Sequence, residues 1–107
     1  MERLNEYGLP EALLDEIRAL AEKHGAERVI LFGSRSRGDF RRTSDIDLAV
    51  TGGNIPAFAL DVDEETWTLL RYDVVNLDRP VQPELREAIA REGKIIYEKS
   101  VNRDGSP

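Results

Sequence analysis

Residues 33–50 read Gly33-Ser34-Arg35-Ser36-Arg37-Gly38-Asp39-Phe40-Arg41-Arg42-Thr43-Ser44-Asp45-Ile46-Asp47-Leu48-Ala49-Val50. The run just before it, Arg28-Val29-Ile30-Leu31-Phe32, has the length and composition of a short buried strand. That strand stops at Gly33, where a missing Cβ lets a ligand approach the backbone closely. Ser34 is expected to open a short helical turn, whose hydroxyl and N–H groups can hold phosphate oxygens. Over 45–50, Ile46, Leu48 and Val50 alternate with Asp45, Asp47 and Ala49, the period of a half-buried strand. Residues two apart on a strand share a face, so Asp45 and Asp47 should converge. Two carboxylates on one face repel unless a cation lies between them, and hard oxygen donors suit Mg²⁺.

Outward from this stretch, Pro10 and Glu11 open a helical pattern carried by Leu13, Ile17, Leu20 and Ala21. Lys23 and His24 fall in its last turn and Gly25 ends it, so His24, the one histidine, reads as a C-terminal capping residue. After a turn at 51–54, residues 58–65 fit either a strand or a short helix. A third strand is expected over 69–77, containing Asp73 beside Val74 and Val75. A carboxylate among so much apolar side chain is costly unless it lies at a strand end or beside a cation. If this strand neighbours the Asp45–Asp47 strand, three carboxylates surround two metal positions, the layout of two-metal phosphoryl transfer. Pro83 opens a second amphipathic helix through Leu85, Ile89 and Ala90, closed by Gly93, and 94–97 is a last extended piece. This order implies an α/β or α+β fold, a small mixed β-sheet with helices packed against it.

The 107 residues suit one compact domain, expected over 1–99 with a frayed polar tail at 100–107. The absence of cysteine excludes disulfides, thiolate metal sites and cysteine nucleophiles. No apolar run approaches the ~20 residues of a membrane helix. The start, Met1-Glu2-Arg3-Leu4-Asn5, has no secretion-signal pattern, so the cytoplasm is the expected compartment. A net charge of −6 argues against a nucleic-acid platform, and no direct DNA binding is expected. Arg35, Arg37, Arg41 and Arg42, offset by Asp39, make one stretch of net +3 and leave about −9 for the rest. A small basic patch on an acidic body suits a phosphate-bearing ligand of limited size; the cluster reads either as a solvated turn or as a site where at least one arginine contacts the triphosphate or a partner, with Arg35 the residue named for the nucleotide.

Gly33-Ser34, ten intervening residues and Asp45-x-Asp47 together resemble the signature of the DNA polymerase beta-type nucleotidyltransferase superfamily. The short chain, with Tyr-Asp-Val-Val-Asn-Leu-Asp at 72–78 and Arg-Glu-Gly-Lys-Ile-Ile-Tyr-Glu at 91–98, resembles its minimal nucleotidyltransferase (MNT) branch, which includes MntA-type antitoxins. The resemblance spans roughly residues 10–99, and Ser36 stands where the family usually has alanine. It implies that Gly33, Ser34 and Arg35 bind the nucleotide, and that Asp45, Asp47 and Asp73 are catalytic and hold two Mg²⁺ ions, with Asp73 accepting the proton of the attacking hydroxyl. It further implies transfer of AMP from ATP to a tyrosine of a HEPN-family RNase toxin. A toxin-masking protein without catalysis, and a small-molecule acceptor, are the competing readings. The second is disfavoured because so short a chain has little left to enclose a small acceptor.

Other residues read more simply. Asp61, Asp63, Glu64 and Glu65 form a solvated acidic face, and Asp39 and Asp78 are turn residues. Trp67 is expected in the core, with a partner-facing anchor as the alternative.

Overall fold

The computed structural model describes residues 3–99, so the tail expected to fray at 100–107 lies outside the described residues. The element order is α1 (Glu11–Lys23), β1 (Arg28–Phe32), α2 (Ser34–Arg37), β2 (Ile46–Thr51), α3 (Ile55–Glu65), β3 (Tyr72–Asn76), α4 (Pro83–Glu92) and β4 (Lys94–Glu98). The strands form one mixed sheet in the order β3-β2-β1-β4. β1 is antiparallel to β2 and β4, while β2 and β3 run parallel, joined by the α3 crossover.

The ambiguous segment 58–65 is helical. Asn54 accepts a hydrogen bond from the Ala57 N–H at 3.2 Å, and Pro56 occupies the first turn, where its missing N–H costs nothing. Ile55, Phe58 and Val62 then fall on one buried face. The third strand is shorter than expected. It begins at Tyr72, and Leu69 is fully exposed in the connection from α3. The last extended piece is a full edge strand, paired with β1 through a register shift at Val29/Ile30.

Strand alternation divides the core in two. Val29, Leu31, Ile46, Leu48 and Val50 face α1 and α3 and pack with Leu14, Ile17, Phe58 and Val62. Phe32 and Ala49 face the other way and pack with Ile89 of α4, with Ile30, Val75, Leu77 and Leu85 around them. α4 covers this second face only over β1 and its surroundings. Asp47, two residues before Ala49, and Asp73, two before Val75, therefore belong to the face that α4 leaves partly open.

Candidate active site

β1 ends at Phe32, which stands opposite Asp47 of antiparallel β2. Across the other side of β2, Asp47 is in register with Asp73 of parallel β3. Asp45 lies just before β2, exposed like Asp73, while Asp47 is half-buried. Gly33 follows Phe32 with φ +80°, and a Cβ built there would overlap Asp47 Oδ2, so only glycine admits the aspartate so close to the turn. Ser34 opens α2, a single helical turn closed by Gly38. One corner of the sheet thus gathers the Gly33–Ser34 turn, Asp47 and Asp73, with Asp45 at its edge.

The electrostatics of the corner are those of crowded like charges. The Asp47 carboxyl is pushed up to about 6, first by burial, then by the negative charges of Asp73 and Asp45. Arg37 pulls against this rise, and Glu92 adds to it. Among the described residues no three acidic or histidine side chains are gathered tightly enough to hold an ion as they stand. The donor chemistry nonetheless fits a hard divalent cation. The donors are carboxylate oxygens, and the charge that drives Asp47 toward protonation is what a cation there would neutralise.

Two further members of the corner had no individual role assigned from the sequence. Glu92, the last residue of α4, accepts the Gly33 N–H at 2.9 Å and is paired with Arg37 Nη1 at 3.0 Å. Its own backbone carbonyl accepts the Ser36 hydroxyl, so α4 is stapled to the α2 turn at two points. Arg37 sits in the basic cluster that signals a phosphate ligand. Glu92 lies in the 91–98 stretch that carries the resemblance, but nothing local marks its side chain for the corner, since a glutamate at the end of an amphipathic helix is ordinary.

Arg35 has a different place from the one expected of its side chain. Its guanidinium is 1% exposed and donates to the carbonyls of Tyr7, Gly8, Arg42 and Ser44, at 2.9 to 3.2 Å. It also stacks on Phe40, 5.0 Å from the ring centre. A side chain so engaged ties the N-terminal loop to the 41–44 loop and has no donor to offer a phosphate; only its backbone N–H in α2 is left for that. Trp67 is likewise not in the core. It is 70% exposed and donates to Glu16 Oε2 at 3.0 Å. Of the α3 acids, Asp63, Glu64 and Glu65 are exposed. Asp61 is paired with His24 Nε2 at 2.7 Å, and that contact holds its carboxyl below the usual range.

A mixed four-stranded sheet carrying a Gly-Ser turn beside paired aspartates defines a nucleotidyltransferase. The family model described as "Polymerase beta, Nucleotidyltransferase" matches residues 15–102, and the chain belongs to that family, as an enzyme of its minimal branch. A solved structure described as a "putative minimal nucleotidyltransferase" is 33% identical, with TM-score 0.62, covering 78% of this chain and 89% of that one. A Methanocaldococcus jannaschii protein named "putative protein adenylyltransferase" is 29% identical over 81% of this chain and 96% of its own. A crystal structure of a toxin–antitoxin with AMP-PNP shares the fold at TM-score 0.61 and 24% identity, over 85% of this chain and 76% of that one. Among the described residues no helix is long and apolar enough to cross a membrane.

Proposed function

We propose that this protein transfers AMP from ATP to a hydroxyl of a protein partner, and that the partner is a HEPN-family toxin inactivated on a tyrosine. The observation that carries the transfer reaction is the register of Asp47 with Asp73, directly beside a glycine turn that Asp47 itself abuts. The protein acceptor is supported by the name of the M. jannaschii relative and by the openness of the corner, which a folded partner can complete. The toxin is suggested by the toxin–antitoxin neighbours, whose likeness to this chain is one of fold.

In this reading Asp45, Asp47 and Asp73 hold Mg²⁺, as two ions. Bound there, the metal would supply positive charge to the phosphate oxygens. The Ser34 hydroxyl and the N–H groups of Gly33, Ser34 and Arg35 orient the β- and γ-phosphates, since those of Ser36 and Arg37 donate to the Gly33 carbonyl, and the Arg37 guanidinium adds a cation beside them. The acceptor oxygen attacks the α-phosphorus, the bond to the bridging oxygen of the β-phosphate breaks, and pyrophosphate leaves. The proton of the attacking hydroxyl passes to Asp73, which is exposed and so reachable from outside.

The test is incorporation of label into a co-purified partner. Label from α-labelled ATP with Mg²⁺, and none from γ-labelled ATP, is the expected result. Label arriving from the γ position alone would make the protein a kinase and end the assignment.

A further inference from the structure

The Gly33 N–H, the first donor of the turn assigned above to the triphosphate, already has an anionic partner. That partner is the Glu92 carboxylate, whose Oε2 also takes the Arg37 guanidinium, at 2.9 and 3.0 Å respectively. The Glu92 side chain is only 13% exposed, whereas Arg37 is 47% exposed and can follow a ligand outward. One carboxylate oxygen holding a backbone N–H and an arginine makes the contacts that a phosphate oxygen makes in such a turn. Glu92 also stands in the field of Asp47, on a corner already crowded with negative charge. A triphosphate cannot take the Gly33 N–H and Arg37 while Glu92 keeps them, and a carboxylate left beside it would repel it.

We propose that Glu92 is a phosphate placeholder that determines how readily nucleotide binds: its carboxylate occupies the Gly33 N–H and the Arg37 guanidinium in the free protein, and the nucleotide binds by displacing it. The inference rests on the nucleotide reading above. It adds a residue that weakens binding of the free polyphosphate and favours the nucleotide in its cation-neutralised form. The backbone carbonyl of Glu92 holds Ser36 independently of the side chain, so the carboxylate can leave without detaching α4.

The experiment measures binding of ATP in chelator, and of ATP with Mg²⁺, by titration calorimetry on the full chain. Wild type is compared with Glu92→Gln and with Glu98→Gln. The latter carries the same charge change at the far end of β4, where Glu98 pairs with Arg28. The amide of Glu92→Gln keeps an acceptor for the Gly33 N–H but loses the charge. Glu92→Gln is expected to bind chelated ATP about tenfold tighter than wild type, from removal of one nearby charge. The gain with Mg²⁺ should be smaller, and Glu98→Gln should behave as wild type. The Gly33 amide resonance should move in Glu92→Gln before any nucleotide is added. A mere structural staple would show unchanged or weaker affinity on mutation, and either result overturns the proposal while wild-type binding keeps the nucleotide reading intact. Equal tightening by Glu98→Gln would reduce the effect to bulk charge and overturn it too. If wild type and variant both fail to bind ATP, with and without Mg²⁺, the nucleotide reading falls and this inference with it.

Discussion

The two faces of the sheet are made by neighbouring residues of the same strands, yet they do opposite things. On the α1/α3 face, Ile46, Leu48 and Val50 are wholly buried in one continuous apolar layer. On the α4 face, Ala49 is buried under Ile89, but Asp47 is half-buried among like charges. Asp47 and Leu48 are adjacent and point apart, so β2 carries most of its stabilising burial on one side and its chemistry on the other. The separation lets the site carry repulsion that a single shared core could not absorb.

The sharpest way to break this contrast is Asp47→Asn. Transfer activity should fall about a thousandfold or more if Asp47 holds metal as proposed, because a ligand charge worth several kcal/mol to the barrier is then gone. Thermal stability should hold or rise, because the mutation relieves repulsion with Asp73 and Asp45. Full activity in the variant, or a large loss of melting temperature, would show that Asp47 serves the core instead.

One residue along, Leu48→Ala should do the reverse. Its side chain is wholly buried between the sheet and the helices, so denaturant unfolding should show a loss of about 3 kcal/mol. Activity per folded molecule should stay near wild type. A loss of stability below about 1 kcal/mol would mean that this face is far less tightly packed than it looks.

The smallest effect is a pH dependence confined to the acidic face. The Asp47 carboxyl is raised in the folded protein to about 6 from an ordinary value of 3.8. The folded state therefore holds its proton more firmly than the unfolded chain does. The stability this gives is complete below about pH 4 and is lost as pH rises through about 6. With chelator present, wild type and Asp47→Asn should be nearly equally stable at pH 4. By pH 7 the variant should lead by on the order of 1–2 kcal/mol, a figure reduced for the solvent that reaches the site. A difference that does not change with pH would mean that Asp47 is neither buried nor repelled as the structure has it.

The strands and the acidic pair were legible because alternation is a local signal: each of Ile46, Leu48 and Val50 says the same thing about β2. What sequence could not supply was the pairing of Asp47 with Asp73. That depends on β2 and β3 being parallel, which depends on α3, and residues 58–65 alternate well enough to pass for a strand. The helix start at Asn54 and Pro56 reads in the sequence only as a turn. The Arg35 side chain was expected at the phosphates because it belongs to a basic cluster, and nothing local shows that the carbonyls of Tyr7 and Ser44 enclose its guanidinium. Trp67 was misread in the opposite sense, since large apolar side chains are usually covered and this one lies open beside Glu16.

Glu92 is followed at once by Gly93 and then by β4, the last strand among the described residues, which pairs with β1. During synthesis the chain emerges N-terminus first. The turn at Gly33 and all three aspartates leave the ribosome before the residue that holds the turn's first amide. A nascent chain stopped short of Glu92 carries the complete set of carboxylates but neither the carboxylate on Gly33 nor the strand that seals β1's open edge. The corner is therefore finished only once Glu92 and β4 have been made, and a copy stopped before them has no carboxylate on the Gly33 amide.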